Sequence, residues 1–200
     1  MALVVGLTGG IASGKSLVSS YLQDLGAAII DADELARKAV VPHSPAWQEI
    51  REYFGAGVFQ PDGNIDRKKL ADLVFNSRSE REKLNSIIHP RVIESTLRLK
   101  EKHQNEKRAP LIVIDAPLLI ETGMYEHVDE VWVIAVPEQT QLERLVERDG
   151  LSMQRAQNRL ASQMPLSEKL QYADRVIDNS GEIEKTIEQI DTLWRQVVCR

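Results

Sequence analysis

The chain carries near its start the stretch Gly9-Gly10-Ile11-Ala12-Ser13-Gly14-Lys15-Ser16, which matches the pattern G-x-x-x-x-G-K-[ST]. Glycines let a backbone curl closely around an anion, with successive N–H groups pointing inward. A helix beginning near Lys15 would aim its N-terminal dipole and unpaired N–H groups at the same charge. The pattern predicts a loop that binds the phosphates of a nucleotide, and we call residues 9–16 the phosphate loop. The alternative is a glycine-rich turn whose lysine and serine are merely solvated.

The residues on either side of the phosphate loop agree with this prediction. Residues 3–7 form an apolar run typical of a buried strand. After the loop, apolar residues recur at helical spacing up to a natural stop at Gly26, namely Val18, Tyr21, Leu22 and Leu25. In this strand–loop–helix context Lys15 is expected to reach the β- and γ-phosphates, and the Ser16 hydroxyl to ligate Mg²⁺.

Further apolar runs predict four more strands, over residues 27–30, 111–114, 131–136 and, more weakly, 176–177. The chain ends in a predicted helix with one apolar face formed by Ile183, Ile187, Ile190, Trp194 and Val197. Strands that alternate with helices favour a parallel sheet covered on both faces, so the fold class is α/β.

The region between the second and third strands is predicted to be helical. Pro45 is expected to open one helix, and Asp66 to cap a second. Their inward-facing residues are predicted to be Trp47, Ile50, Phe54, Leu70, Leu73 and Val74. Ser79 is predicted to begin a capping box, and Pro90 to start a separate long helix. We interpret this region as a helical lobe inserted into the core, and residues 152–173 as a second helical segment.

Composition limits the class of protein. The chain has 200 residues, a net charge of −5 and one cysteine, Cys199. An acidic protein is a poor general binder of nucleic acid or membrane surfaces, since both are polyanionic. One cysteine forms no disulfide within the chain, which fits a reducing compartment. The first residues lack the basic segment of a signal peptide, and no apolar run is long enough to span a bilayer, so a cytoplasmic location is expected.

Two carboxylates follow the second predicted strand, Asp31 and Asp33. Open α/β sheets bind ligands at this edge. We expect Asp33 to orient and deprotonate an acceptor hydroxyl. A carboxylate is a weak base towards an alcohol, but phosphoryl transfer through a loose transition state asks little of its base. Asp31 either caps the following helix or contacts substrate.

A series of further motifs spans almost the whole chain. They are Gly6-Leu7-Thr8-Gly9-Gly10-Ile11, Ile30-Asp31-Ala32-Asp33 with Ala36 and Arg37, Leu84-Asn85, His89-Pro90, Pro117-Leu118-Leu119 with Glu121, Gln141 with Arg144 and Arg148, Gln163, Lys169, and Ala173-Asp174-Arg175-Val176-Ile177-Asp178-Asn179. In this order they resemble the dephospho-CoA kinase family. Each motif alone would be weak evidence, and together they are highly specific.

The resemblance implies an architecture and a reaction. The architecture is a P-loop kinase core of five parallel strands with flanking helices (1–40, 108–148 and 174–200), an inserted helical acceptor-binding lobe (about 41–107) and a lid (about 149–173). In the reaction, ATP phosphorylates the ribose 3′-hydroxyl of dephospho-CoA to give CoA and ADP, the last step of coenzyme A synthesis. The implied partners are therefore ATP and dephospho-CoA, with Mg²⁺ as cofactor.

The resemblance also assigns roles to individual residues. The catalytic group is Asp33 as base, Lys15, and Arg144 as the lid arginine. The ATP-binding residues are Gly9, Gly10, Ile11, Ala12, Ser13, Gly14, Lys15, Ser16, Leu17, Arg144 and Arg148. The acceptor-binding residues are Thr8, Asp31, Asp33, Arg37, His89, Pro117, Leu118, Leu119 and Glu121. Ser16 is the magnesium ligand, with Asp115 as a second candidate.

Several of these assignments have alternatives. Arg144 is otherwise a solvated arginine paired with Glu143 or Glu147. The alternative for His89 is a structural role at a helix junction. The alternative for the apolar residues after Pro117 is that they belong to the ordinary core. The chain also departs from the family in two places. Leu17 replaces a frequent threonine, and Ala12 replaces a common glycine, which we expect to be tolerated if its φ stays below zero.

Two other functions remain open from the residues alone. One is another P-loop small-molecule kinase acting on a nucleotide, a sugar or a shikimate-like alcohol. The other is a switch in which nucleotide hydrolysis drives a conformational change. A GTPase switch usually carries an Asn-Lys-x-Asp segment, which this sequence lacks.

Overall fold

A computed structural model describes residues 2–199, apart from the side chains of Phe75 and Asn76. Strands β1 to β5 are Leu3–Gly9, Ala28–Asp31, Leu111–Asp115, Glu130–Ala135 and Arg175–Asp178. Helices α1 to α9 are Lys15–Asp24, Ala32–Ala39, Pro45–Phe54, Arg67–Asn76, Arg78–Glu106, Glu138–Asp149, Met153–Leu160, Leu166–Lys169 and Ile183–Val198. Short 3₁₀ turns lie at Ala56–Val58, Met124–His127 and Leu170–Tyr172.

The strands of the described chain form one parallel sheet in the order β2-β3-β1-β4-β5. All five predicted strands are confirmed, including the weak fifth one, which pairs with β4. β1 lies in the centre between β3 and β4. Since parallel strands end at a common edge, the carboxyl ends of β1, β2 and β3 lie side by side there. The register sets Asp115 opposite Leu7 on one side and Asp31 on the other.

One core cluster joins the sheet to α1 and α9. Its most buried members are Val5, Leu7, Val18, Leu22, Leu111, Val113, Trp132, Ile134, Ile177 and Ile190. Val18 and Leu22 come from the apolar stripe of α1, and Ile190 from that of α9. This packing holds α1, and hence the residues that begin it, against the central strand.

The chain divides into two compact units, Met1–Asp31 with Leu99–Arg200, and Ala32–Arg98. The first contains the sheet. The second is built from helices and has its own apolar cluster of Ala46, Ile50, Val58, Leu70 and Ile87. Trp47 is buried there, and its indole Nε1 donates to the Gly63 carbonyl over 2.7 Å. The predicted roles of acceptor-binding lobe and lid stay predictions.

Three predictions for the helical unit are wrong. Pro90 does not start a helix, because α5 runs unbroken from Arg78 to Glu106 with Pro90 inside it. Near this proline, Arg91 Nη1 donates to the Ile87 carbonyl over 2.5 Å, whereas the donor that Pro90 lacks is the one that would reach the Ser86 carbonyl. The capping residue is Ser77 and not Ser79, since the Glu80 N–H donates to Ser77 Oγ. Leu73 is 45% exposed rather than inward-facing.

The C-terminal half differs from expectation in two places. The helical segment over 152–173 is two short helices followed by a 3₁₀ turn, with Pro165 at the N-cap of α8. On α9, Ile183 is 52% exposed and lies outside the buried face, because it occupies the first, solvent-exposed turn. Among residues 2–199, no helix combines the length and apolar character needed to cross a membrane.

Candidate active site

The phosphate loop begins at the last residue of β1 and continues directly into α1. The Ser13 N–H donates to the Gly10 carbonyl over 3.1 Å, which closes a tight turn. Ala12 lies in this turn with φ of 57°, so the condition under which alanine was expected to be tolerated here is not met. The turn demands a left-handed residue, which explains why glycine would suit this position. Ala12 therefore carries backbone strain that glycine would avoid.

The start of α1 has no side-chain cap. Gly14 is the N-cap residue, with φ of 84°, and makes no side-chain cap hydrogen bond. The first turn also contains no acidic residue. The N–H groups there consequently have no competing anion within the helix, which suits a phosphate ligand.

Three side chains from distant parts of the chain brace the phosphate loop. Gln163 Oε1 accepts from the Ile11 N–H over 2.9 Å, and Asn179 Nδ2 donates to the Ser13 carbonyl over 2.8 Å. Gln141 packs over Gly10 so closely that an added Cβ would lie 2.6 Å from its Oε1. None of the three was assigned to the site from sequence, although each lies in a family motif. Their contacts span well over a hundred residues, so only the motif signal pointed to them.

Lys15 and Asp115 form an ion pair at the carboxyl edge of the sheet. Their side chains are 16% and 7% exposed. The ion pair keeps the buried Asp115 carboxylate compensated, since an isolated buried charge is costly. Ser16 is exposed beside Lys15 in the chain. A hydroxyl and a carboxylate are hard oxygen donors of the kind that Mg²⁺ prefers, so the donor set fits that ion.

Arg144 lies on α6 and is half-buried. Its Nη2 donates to the Asn179 carbonyl over 2.9 Å, a contact that neither sequence-based alternative anticipated. Arg148, one turn further on, is exposed. Its Nε and Nη2 donate to the two carboxylate oxygens of Asp149 over 2.7 and 3.2 Å. The hydrogen bond from Arg148 is the main reason that the pKa of Asp149 is lowered. Asp149 also binds Arg159.

The loop after β3 is fixed by a buried lysine. Lys169 is fully buried, and its Nζ donates to the Pro117 carbonyl at 2.9 Å and to both Glu121 carboxylate oxygens at 2.8 and 3.0 Å. The buried Thr8 hydroxyl donates to the same Pro117 carbonyl over 3.2 Å. Glu121, predicted to contact the acceptor, is therefore the counter-ion of Lys169.

The two leucines of this loop differ in burial. Leu119 is fully buried beneath Gly6 and belongs to the core, the alternative left open from sequence. Leu118 is half-buried. Of the pair, only Leu118 keeps exposed surface.

The remaining predicted acceptor residues lie on or next to the helical unit. Asp31 ends β2 and is half-buried, and α2 begins at the next residue. Asp33 and Arg37 are exposed on α2, with Asp33 in its first turn. His89 is half-buried on α5, and burial lowers the pKa of its imidazole. The acceptor roles of these residues stay predictions.

Comparison with known proteins supports the interpretation. A sequence profile described as dephospho-CoA kinase matches residues 3–185. A dephospho-CoA kinase from Carboxydothermus hydrogenoformans is 51% identical over 193 residues, covering 96% of this chain and 93% of that one. A solved dephospho-CoA kinase from Campylobacter jejuni superposes with a TM-score of 0.73 at 29% identity, over 98% of each chain. A shikimate kinase from Acinetobacter baumannii, at 16% identity and a TM-score of 0.52 over 100% and 94% of the two chains, shares the fold.

The central β1, the phosphate loop that leaves it and the flanking helices define the P-loop kinase fold. Within that class the sequence relatives agree on one name across nearly the full length of the chain. The chain belongs to the dephospho-CoA kinase family.

Proposed function

We propose that this protein transfers the γ-phosphoryl group of ATP to the ribose 3′-hydroxyl of dephospho-CoA, giving CoA and ADP. The observation that carries the proposal is the 51% identity with a dephospho-CoA kinase over 96% of this chain, phosphate loop included. The uncapped start of α1 and the Lys15–Asp115 pair supply the polar groups that such a reaction needs.

The phosphate loop would bind the triphosphate through its backbone N–H groups, and Lys15 would contact the β- and γ-phosphates. In the structure Lys15 already lies at the carboxyl edge of the sheet, held by Asp115. On nucleotide binding its ammonium would be shared with the phosphates. Little reorganisation of the loop is then required, which favours electrostatic stabilisation of the transferred group.

The acceptor hydroxyl would be oriented by Asp33, which would accept its proton as the new O–P bond forms. Asp33 suits this role by position, since it lies two residues beyond the carboxyl end of β2. Arg144 would place its guanidinium against the charge that develops on the transferred phosphoryl group. Arg37, His89 and Leu118 remain our candidates for acceptor contacts.

Ser16 and Asp115 would hold the magnesium ion. When bound, Mg²⁺ supplies charge neutralisation between the β- and γ-phosphates. Asp115 would then exchange part of its contact with Lys15 for the metal. We place the activity in the cytoplasm, because ATP is the co-substrate and the chain forms no internal disulfide.

The test is acceptor-dependent release of ADP. Purified protein with Mg²⁺ and ATP is incubated with dephospho-CoA, with each common nucleoside monophosphate, or with shikimate, and ADP and the phosphorylated product are quantified. Of these acceptors, we expect only dephospho-CoA to give rapid ADP release, with CoA formed in equal amount. Lys15→Ala should lower that rate by about a hundredfold or more. The matched control is Lys185→Ala, an exposed lysine on α9, which should keep the wild-type rate.

The same assay separates the other functions. Preference for a nucleotide or shikimate would identify a different small-molecule kinase. Slow ADP release that is independent of any acceptor would identify a hydrolytic switch. Either result would refute the proposed reaction.

A further inference from the structure

We propose that Asn179 is a positioning residue that fixes the phosphate loop and Arg144 to a single anchor, and thereby sets the affinity for nucleotide. The inference rests on the proposed function, since it assumes that the loop binds ATP. Asn179 follows β5 directly and is 4% exposed. It makes no assigned contact with substrate, so it would act through its neighbours.

The first argument concerns one peptide group of the loop. Asn179 Nδ2 donates to the Ser13 carbonyl over 2.8 Å in a buried hydrogen bond. In a trans peptide the carbonyl and the following N–H point in opposite directions within the peptide plane. The chain has no cis peptide among its described residues. Holding the Ser13 carbonyl on the side of Asn179 therefore aims the Gly14 N–H away from it, towards the side where phosphate would lie.

The second argument concerns the orientation of the amide itself. Asn179 Oδ1 accepts from the Thr186 hydroxyl over 2.9 Å, and Thr186 is fully buried on α9. The Ser13 carbonyl can only accept, so it takes the Nδ2 end of the amide, and the Thr186 hydroxyl donates to the Oδ1 end that then faces it. A Cβ on Gly14 would overlap with Nδ2, so the loop is packed directly onto this amide. Asn179 is thus both oriented and in contact with the loop.

The third argument concerns Arg144. Its Nη2 donates to the backbone carbonyl of Asn179 over 2.9 Å. The backbone N–H of Asn179 donates in turn to the Ala135 carbonyl at the end of β4 over 3.0 Å. One residue thus contacts the loop through its side chain and the guanidinium through its carbonyl. Displacing the side chain should shift both groups that are expected to contact the phosphates.

The experiment measures nucleotide binding in the absence of acceptor. Asn179→Asp keeps the shape and the oxygen that faces Thr186, but replaces the donor with a carboxylate that repels the Ser13 carbonyl. We expect its Kd for a fluorescent N-methylanthraniloyl ATP analogue to rise about tenfold or more. The matched control is Asn105→Asp, which makes the same change at an exposed position of α5 and should leave Kd unchanged. Thr186→Val removes only the orienting hydroxyl and should raise Kd by a smaller factor.

A purely structural role would produce a different pattern. In that case the Asn179 and Thr186 variants would unfold at lower temperature but bind the analogue normally well below that temperature, and this result would overturn the proposal. The link to Arg144 is tested with Asn179→Ala, Arg144→Ala and the double variant. If the double variant loses kcat by the product of the two single-variant factors, the link is overturned. If its loss is smaller than that product, the link is supported. If wild-type protein binds the analogue yet makes no CoA, the reaction is wrong while the role of Asn179 is still measured.

Discussion

Lys15 and Asp115 form an ion pair although 100 residues separate them in the chain. The topology causes this contact, since β3 pairs with β1 and ends beside the phosphate loop. Both side chains are largely buried, so each limits the positions open to the other. The pair thus holds the lysine close to where the phosphates are expected before any nucleotide arrives.

Replacement of Asp115 tests its role as a metal ligand. Asp115→Asn should raise the Mg²⁺ concentration that gives half-maximal rate by about tenfold, because a neutral amide is a weaker ligand than a carboxylate. Initial rates at saturating substrates over a magnesium series measure it. Asp24→Asn, at the exposed end of α1, is the control for the charge change. An unchanged magnesium dependence would leave Asp115 as a partner of Lys15 only.

Asp33→Asn tests the proposed base. It should lower kcat by about a hundredfold while the KM for ATP changes little, since the lost interaction belongs to the acceptor in the transition state. Steady-state kinetics with each substrate varied in turn provide both constants. If ATP affinity were lost and kcat kept, Asp33 would instead contact nucleotide or metal.

The buried pair of Lys169 and Glu121 should matter chiefly for stability. Lys169→Met should lower the free energy of unfolding by about 3–5 kcal/mol, because Glu121 would keep a partly buried charge without its partner. The double variant Lys169→Met/Glu121→Leu should recover much of this loss. Urea unfolding curves followed by circular dichroism measure both. Equal losses in the single and double variants would contradict the explanation.

Ala12→Gly should stabilise the protein. Glycine avoids the left-handed strain that Ala12 bears at φ of 57°, and this gain exceeds its entropic cost in the unfolded chain. We expect the free energy of unfolding to rise by up to about 1 kcal/mol. Ala161→Gly is the control, since Ala161 is exposed with φ of −64° and gains nothing from glycine. A loss of stability in Ala12→Gly would count against strain at this turn.

The partly buried His89 is expected to make the free energy of unfolding depend on pH. Burial lowers the pKa of its imidazole in the folded state below the ordinary value near 6.5, so the unfolded chain binds the proton more tightly. Its contribution is then fully present above about pH 6.5 and is lost as the pH falls through that value. His89→Gln should flatten the change in urea midpoint between about pH 7 and pH 5. The lowered pKa values of Asp62, Asp149 and Asp178 act in a more acidic range. An identical slope in wild type and variant would exclude His89 as the source.

The sequence predicts much of this fold because its strands are short apolar runs with polar residues at their ends. Even the two residues Val176 and Ile177 suffice, since β4 supplies a partner for them. Local rules fail where the surroundings outweigh them. Pro90 is a helix breaker by propensity, yet packing on either side keeps α5 continuous, with Ile87 and Val92 buried around it.

The candidate site likewise has a part that the sequence predicts and a part that it does not. The phosphate loop can be predicted from the sequence because the residues expected to contact phosphate are consecutive in the chain. The partners of Ser13, Lys15 and Glu121 are not readable, because Asn179, Asp115 and Lys169 reach them only through the folded topology. Spacing along the chain carries no information about such pairs.

The strand order has a consequence for how the enzyme should fail on heating. β1 is bonded on both sides, whereas β2 and β5 are the edges of the sheet within residues 2–199. Fraying starts at edges, and these edges lead to Asp31 and to Asn179. On heating, the rate of turnover should therefore fall some degrees below the temperature at which the centre of the sheet unfolds. Amides of β1 should be among the last to exchange with deuterium.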